Sequence, residues 1–472
     1  MKEFLVICAL IAVGSTSEDI FFSEKNTPKP TFVPSVTLHN GSFFPKLDHF
    51  NPQDARTVEF QYRLNLDFYR DEGPLFVYIN DGEQYTTEWI QEGLIVDIAR
   101  ELGGAVITSD HRYWRLNTPT ESSSFDNLRF LTVDQAIADI ATLIHTLRDH
   151  LSSSFPRVIV WGTGYGATLA TFARKKYPHL IDGAFASSGL FRAEVSDESY
   201  FDNLSYNLRH HGSDECFGRV RNAFDILEYL IQNAEGDYLQ ERLRLCQPLE
   251  VDNDQEVGFL IERLVDYISA YIKQHNLFGL ENFCRDMAYY NEDTLNSLIR
   301  WVLYIYDGPE CYNIDYEEYI DELTQTNWDA RFASRRALAY LRCTQIGAFR
   351  IPSDYEFTAF PQLLTDEYHY KFCEDILGEQ YNRTSLQSAV DNLNLIYGGQ
   401  EQVISHVIYT NAGLDPWISH GVSEYGLVES TAIFIQYAAA GADLSSISTE
   451  DSAELYRAKQ LITEYVTRWA ST

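Results

Sequence analysis

The sequence predicts an α/β fold in which a parallel β-sheet carries helices on both faces and is interrupted by a long helical insertion. Short apolar runs, typical of buried strands, alternate with stretches of helical periodicity up to about residue 190. The same alternation returns after residue 380, whereas the stretch between is rich in amphipathic helices. Hydrophobic residues make up 45% of the 472-residue chain, so a sizeable core can be buried and a disordered chain is disfavoured.

Each element of this pattern can be placed along the chain. The predicted helix at 89–102 ends at Gly103-Gly104, a typical stop signal. The predicted helix at 132–147 has its apolar residues on one face. Because strands and helices alternate, the strands should pair in parallel. Predicted strands cover 74–79, 105–107, 157–160, 183–186, 406–409 and 432–435, and predicted helices cover 89–102, 132–147, the segment that ends at Tyr177, and 451–469.

The N-terminus has the pattern of a secretory signal peptide over residues 1–17. Lys2 precedes an apolar run from Phe4 to Val13, and small residues at 14–17 offer a cleavage site. This run is far shorter than the ~20 apolar residues that a membrane-spanning helix needs. No other stretch is long enough, so we expect no membrane span and a location inside the secretory route.

The rest of the chain divides into four segments. Residues 18–45 form an extended lead-in that contains three prolines. Residues 46–190 are the first part of the sheet domain, and residues 381–472 are its second part. Residues 191–380 between them are the helical insertion.

The insertion holds all six cysteines that remain after Cys8 leaves with the signal peptide. An even number in an oxidising compartment predicts three disulfides, and buried free thiols are the alternative. No C-x-x-C spacing occurs, so no metal site is expected. The six are Cys216, Cys246, Cys284, Cys311, Cys343 and Cys373.

Three sequons and the net charge fit the same compartment. Asn40, Asn203 and Asn382 each begin an N-x-S/T sequence and are predicted glycosylation sites. The formal net charge of −33 repels phosphate backbones, which disfavours nucleic-acid binding. An acidic lumen would tolerate such a charge better, although simple solubility explains it as well.

A glycine-rich turn at 162–166 joins the third strand to a helix. Dinucleotide binding is one interpretation, because Gly162, Gly164 and Ala167 fit the loose G-x-G-x-x-A pattern. Dinucleotide binding is disfavoured because the acid that binds the ribose should lie at the end of the next strand, whereas Asp182 lies before that strand. No cofactor is therefore expected. A nucleophile elbow, G-x-S-x-G, is the other interpretation, but its central residue here is a glycine. On the turn alone, a plain glycine-rich connection is the simplest explanation.

Longer motifs run in order from about residue 45 to the C-terminus and form a specific set. They are Leu47-Asp-His-Phe50, Asp110-His-Arg-Tyr113, Phe130-Leu-Thr132, Asp134-Gln-Ala136, Gly162 to Ala167, Lys176-Tyr-Pro-His179, Ala186-Ser-Ser-Gly189, Asn411-Ala-Gly-Leu-Asp-Pro-Trp417 and Ala442-Asp-Leu444. Together they resemble the family of lysosomal Pro-Xaa carboxypeptidase, dipeptidyl peptidase II and the thymus-specific serine protease.

The resemblance implies an α/β-hydrolase fold with a helical cap inserted after the strand that follows the elbow. It also implies a Ser…Asp…His triad, whose positions fall on Gly164, Asp415 and Ala440. Two of the three triad positions are therefore empty. By the same resemblance, the backbone N–H of Tyr165 is an oxyanion-type donor.

The resemblance carries further expectations. It implies a peptide ligand, a secreted or lysosomal location, and the capacity to form a homodimer. It also implies the disulfide pairs Cys343–Cys373, Cys216–Cys284 and Cys246–Cys311.

Several residues near the triad positions have structural interpretations. Asp415 precedes Pro416, and Asp-Pro is a strong helix-capping pair, so its presence does not by itself indicate catalysis. His406 and His420 lie near Asp415 in the sequence, but neither falls at the histidine position of the motif. His111, with the arginine after it, is expected to fix the loop after the second strand.

Acyl transfer needs a nucleophile and a base that takes its proton. Without a side chain at Gly164 and without a base at Ala440, neither group is present. The sequence therefore predicts a non-catalytic protein, a pseudoenzyme, that binds a peptide or a partner on a peptidase scaffold. The alternative is an active serine-type exopeptidase with displaced catalytic groups.

Overall fold

The computed structural model describes most of the chain. The predicted signal peptide and most of the lead-in lie outside the described residues. None of the described helices is long and apolar enough to cross a membrane. The described ranges are 36–80, 87–150, 155–289, 293–305, 311–329, 332–353, 356, 358–423 and 429–471.

The described strands form two sheets. The central sheet has eight strands in the order β1-β2-β4-β3-β5-β6-β9-β10, and β7 pairs with β8 in a separate two-stranded sheet. Pairing is antiparallel for β1 with β2 and for β2 with β4, and parallel elsewhere. The strands are β1 (Leu38–Phe43), β2 (Phe60–Asn65), β3 (Leu75–Ile79), β4 (Ala105–Ser109), β5 (Val158–Thr163), β6 (Gly183–Ser187), β7 (Glu194–Asp197), β8 (Gly347–Arg350), β9 (Val407–Ala412) and β10 (Thr431–Ile435).

The helices belong partly to the sheet domain and partly to the insertion. They are α1 (Leu94–Leu102), α2 (Phe125–Leu128), α3 (Val133–His150), α4 (Tyr165–Lys176), α5 (Ser199–Tyr206), α6 (Asp214–Gln232), α7 (Gly236–Leu243), α8 (Asp254–Tyr289), α9 (Thr294–Ile305), α10 (Tyr316–Thr324), α11 (Ala333–Leu341), α12 (Asp366–Leu377), α13 (Arg383–Tyr397) and α14 (Ala453–Ser471). Helix α8 is interrupted at Asn276, which has φ 54° and ψ −146°.

The central sheet is buried on both faces, as its continuous apolar strands predict. In β5, Val158 and Val160 face the core beneath α3 and α4, whereas Ile159 and Trp161 face the core beneath α1 and α14. This alternation follows the two-residue period of a strand. Together with the strand order, it confirms the α/β-hydrolase fold that the resemblance implies.

The sequence expectations need two corrections here. The predicted parallel pairing is wrong for β1 and β2, which pair antiparallel at one edge. The interpretation of residues 18–45 as a lead-in is also incomplete, because Leu38–Phe43 is a strand of the central sheet. β1 is half exposed and polar, so its sequence lacks the apolar run that marked the buried strands.

The described residues at 200–316 and 359–368 of the insertion pack around an apolar core of their own, whereas those at 323–349 and 370–377 pack in the core of the sheet domain. The three disulfides of the insertion are the predicted ones, Cys216–Cys284, Cys246–Cys311 and Cys343–Cys373. Its small sheet pairs β7 with β8, two short strands about 150 residues apart in the chain, and no local pattern in either strand predicts this pairing. We call residues 191–380 the cap from here on.

Candidate functional site at the carboxyl edge of the sheet

The three predicted triad positions lie at one edge of the central sheet. Thr163 at the end of β5 pairs with Ser187 at the end of β6, and Ser187 pairs with Thr410 in β9. Strand β10 runs parallel to β9 and ends at the same edge. Gly164, Asp415 and Ala440 each follow one of these strands. Ligand-binding sites of open α/β sheets lie at the same place, beyond the carboxyl ends of the strands.

Gly164 forms the elbow turn between β5 and α4. It has φ 54° and ψ −125°, its N–H donates to Ser187 O at 3.0 Å, and its carbonyl accepts from the Thr168 N–H at 3.2 Å. Positive φ is a region that glycine enters without strain. Strand β5 and helix α4 pass so closely that only glycine fits at position 162. A β-carbon there would lie 2.6 Å from the backbone carbon of Gly166. The elbow is intact but presents no nucleophile.

Tyr165 begins α4 and is buried beneath the loop that follows β4. Its hydroxyl lies 3.5 Å from His111 Nε2, and His111 Nδ1 lies 2.7 Å from Arg112 O. Burial lowers the pKa of His111 to about 4, so the ring is neutral above that pH. Arg112 forms a two-pronged ion pair with Asp139, with both N–O distances at 2.7 Å. His111 and Arg112 therefore hold the loop, in agreement with their structural interpretation.

Asp415 is buried in a tight turn after β9. Its Oδ1 accepts from the Trp417 N–H at 3.1 Å, and its own N–H donates to Ala412 O at 3.1 Å. Burial raises the pKa of this carboxyl to about 6, opposed by the charge of Lys273 and by the Trp417 hydrogen bond. The carboxylate thus stabilises its own turn, as the Asp-Pro sequence indicates.

Ala440 lies in a buried loop that is fixed from several sides. Its neighbour Ala438 accepts at its carbonyl from the Leu414 N–H at 3.0 Å, which joins this loop to the Asp415 turn. Asp443 anchors the loop to the sheet, because it accepts hydrogen bonds from the hydroxyls of Ser187 (2.6 Å) and Thr410. The loop keeps its place although position 440 carries only a methyl group.

The cap reaches this loop through the break in α8. The side-chain Oδ1 of Asn276 accepts from the Ala439 N–H at 2.9 Å, and the charge of Lys273, three residues earlier, acts on Asp415. The sequence interpretation missed both residues. Asparagine is one of the few residues that tolerate positive φ, which was the available signal for the break.

A cavity of about 590 Å³ opens next to the Ala440 loop. Ala438 and Ala442 line it from the sheet domain, and Asn276 lines it from the cap. Tyr437 and Ser446 also contribute to its wall. None of the three predicted triad positions lines this cavity, whose wall comes mainly from residues 445–455.

The two histidines near Asp415 in the sequence have other partners. His406 precedes β9, so it lies at the opposite edge of the sheet, with its Nδ1 3.0 Å from Asp182 O. His420 is fully buried, and its Nε2 lies 3.1 Å from Asp197 Oδ2. Both contacts hold the fold together instead of supplying a base to Asp415.

Asn203, a predicted glycosylation site, helps to hold the Asp415 turn. Its amide nitrogen donates to Pro416 O at 2.8 Å and to Ser419 Oγ at 2.9 Å. A glycan on this nitrogen would remove one of its two hydrogens and crowd the turn. The geometry therefore argues against modification of Asn203, whereas Asn40 is exposed on β1 and Asn382 caps α13.

Comparison with known proteins agrees with this geometry. The family model described as serine carboxypeptidase S28 matches residues 45–462. The mouse thymus-specific serine protease is 28% identical over 474 residues, covering 95% of this chain and 91% of that protein. The bovine lysosomal Pro-X carboxypeptidase is 26% identical over 473 residues, covering 93% and 89%.

A solved structure, the proline iminopeptidase of Mycobacterium smegmatis, is 10% identical with a TM-score of 0.39, covering 91% of this chain and 99% of that one. The family match carries more weight, because it spans the sheet domain, the cap and all three triad positions. The chain belongs to the serine carboxypeptidase S28 family.

Proposed function

We propose that this chain is a non-catalytic member of its family, which binds a peptide or a partner at the former active site. The observation that carries the proposal is the geometry at Gly164, where the elbow conformation is kept and the nucleophile is missing. Ala440 lacks the base as well. Loss of a triad removes on the order of 10⁶ in rate, so residual turnover would be very slow.

Two hydroxyl groups close to the elbow are committed to other partners. Ser187 donates to Asp443 at 2.6 Å, and Thr168 donates to Leu190 O at 2.8 Å. A nucleophilic hydroxyl must be free to attack a substrate, whereas these two hydroxyls are held in hydrogen bonds that support the fold. These contacts support a non-catalytic site over an active site with displaced catalytic groups.

A cavity next to the Ala440 loop, lined by Ala438 and Ala442 but by none of the predicted triad positions, supports ligand binding. Its volume of about 590 Å³ falls within the roughly 300–1,000 Å³ of typical ligand sites. Relatives named for Pro-X cleavage suggest peptides that contain proline. The disulfides support a secreted or lysosomal location. The homodimer implied by resemblance is part of the same proposal.

An active exopeptidase with rearranged groups is the second candidate. One observation favours it, since the pKa of Asp415 is raised to about 6 and a carboxyl poised there can act as a base on water. Such an enzyme would depend entirely on Asp415.

Hydrolysis and binding of the same peptides distinguish the two candidates. We expect no turnover of Pro-containing dipeptide or C-terminal substrates at acidic or neutral pH, together with binding measurable by calorimetry. Ser446→Trp, which narrows the cavity, should weaken binding, whereas Ser388→Trp on the exposed face of α13 should not. Steady turnover that is abolished by Asp415→Ala would establish the rearranged site instead.

A further inference from the structure

Three side chains meet where the first cap strand contacts the loop after Asp415. Glu194 and Asp197 lie on β7, and His420 ends the short helical turn Ile418–His420. The Nε2 of His420 lies 3.1 Å from Asp197 Oδ2 and 3.3 Å from Glu194 Oε1. We propose that this cluster is a divalent-metal site that takes Zn²⁺ and joins the cap to the sheet domain.

The distances suit a metal ion as the shared partner. Zinc bonds of about 2.0–2.2 Å at near-tetrahedral angles place ligand atoms about 3.1–3.5 Å apart. Both distances from His420 Nε2 fall in this interval, and one ligand atom from each of the three residues lies within 4.8 Å of the others. The same Glu194 oxygen, Oε1, accepts from Arg192 Nη2 at 2.5 Å, so zinc would replace that hydrogen bond.

The surrounding hydrogen bonds leave the ligand atoms of His420 and Asp197 available. His420 Nδ1 lies 2.7 Å from Arg192 O, and an N–H donated there leaves the Nε2 lone pair directed at the two carboxylates. Asp197 Oδ1 accepts from the backbone N–H and the hydroxyl of Ser199, at 2.8 Å and 2.6 Å. Its second oxygen, Oδ2, remains available on the side that faces His420.

These two ligand atoms are also buried without an ordinary hydrogen bond. Asp197 is 1% exposed and His420 is 0% exposed. Neither Asp197 Oδ2 nor His420 Nε2 makes a hydrogen bond of normal geometry to any described residue. Buried polar atoms are almost always paired, so these two atoms, which lie 3.1 Å apart, form an ion pair or share a bound ion as their third partner.

Access and donor chemistry favour zinc over calcium or magnesium. The Glu194 side chain is 27% exposed and accepts from Arg192 Nη2 at 2.5 Å, so it provides an entry path and room for a water ligand. An imidazole with two carboxylates is a set that zinc accepts, whereas calcium and magnesium take oxygen ligands. The spacing of cysteines, on which the expectation of no metal site depends, could not reveal this site. The site contains no cysteine, and His420 is distant in the chain from Glu194 and Asp197.

The proposal is independent of whether the former active site binds peptide. The turn Ile418–His420 continues directly from the Asp415 turn, and β7 is the first strand of the cap. A bound ion would therefore fix the position of the cap relative to the Asp415 loop. The competing explanation is a metal-free ion pair between protonated His420 and the two acids.

Zinc binding by the full chain tests the proposal. Protein purified without chelator and dialysed against micromolar Zn²⁺ should retain one zinc per chain by elemental mass spectrometry, and Co²⁺ should give the intense visible absorption of a four-coordinate site. Glu194→Gln and Asp197→Asn should each weaken zinc binding by roughly tenfold or more. Because Glu194 is partly exposed, its variant should fold even if the other does not.

His49→Gln is the matched control. His49 Nε2 lies 2.8 Å from Asp139 Oδ1, and that acid is already paired with Arg112, so no third ligand is present. This variant should bind zinc as the wild type does. A wild type without zinc and without Co²⁺ absorption would overturn the proposal in favour of the ion pair. Undiminished zinc binding by folded Glu194→Gln would overturn it too.

Discussion

At the scale of one residue, Gly164 keeps the conformation of an elbow turn without carrying a side chain. Its φ of 54° and ψ of −125° cost a residue with a β-carbon about 1–3 kcal/mol. Glycine removes both the nucleophile and this strain. At Ala440 the loss is different, because the loop is held by Asp443 and by the cap, independently of its own side chain.

Asn203 gives the first prediction at this scale. Because both amide hydrogens hold the Asp415 turn, glycopeptide mapping should find Asn203 unmodified and exposed Asn40 modified. Asn203→Ala should lower the free energy of unfolding by about 1–2 kcal/mol. Asn40→Ala is the control and should leave it unchanged. A glycan found at Asn203 in folded protein would contradict this geometry.

Asp415 gives a prediction on pH. Its pKa of about 6 in the folded protein exceeds the ordinary 3.8, so folding takes up a proton between these values. Its contribution to stability is therefore present at low pH and falls as the pH rises from about 4 to about 6. Asp415→Asn has no carboxyl to ionise, so it removes this loss of stability at higher pH. The asparagine keeps an oxygen that accepts from the Trp417 N–H.

Urea unfolding at several pH values measures the effect. Relative to wild type, Asp415→Asn should gain about 2–3 kcal/mol between about pH 4 and pH 7. Asp252→Asn, an exposed substitution, should show no such trend. A difference that does not vary with pH would mean that burial leaves the pKa of Asp415 near its ordinary value.

At the scale of elements, the β5–α4 unit depends on one close approach. A β-carbon on Gly162 would lie 2.6 Å from the backbone of Gly166 and 2.9 Å from Ile79 O. Gly162→Ala should therefore cost about 1–3 kcal/mol in thermal or urea unfolding. Gly218→Ala in α6 meets nothing within 4 Å and should instead stabilise by about 0.5–1 kcal/mol. Equal effects of the two substitutions would contradict the packing described.

Elements were predictable from sequence where the signal is local. The apolar runs gave β3 to β6 within a few residues, and Gly103, with φ 70°, ends α1 as its sequence indicates. The small sheet of β7 and β8 was not predictable, because its two short strands pair across the cap. The break at Asn276 was hidden inside a continuous amphipathic pattern.

At the scale of the whole molecule, cap and sheet domain meet at the Asp415 turn and the Ala440 loop. Asn276 bonds the Ala440 loop, and Asn203 bonds the Asp415 turn. The motifs predict three triad positions because each of these motifs is a short, continuous stretch of the chain. They could not reveal the cap contacts or the His420 cluster, because these residues come together only in the folded protein.

Fluorophosphonate labelling of four proteins tests the central claim most directly: wild type, Gly164→Ser, Ala440→His and the double variant. If only the two missing side chains prevent catalysis, the double variant should label and cleave Pro-containing peptides. Wild type and both single variants should not label, because triad members act as a unit. Labelling of the wild type, or a folded double variant that does not label, would contradict the account.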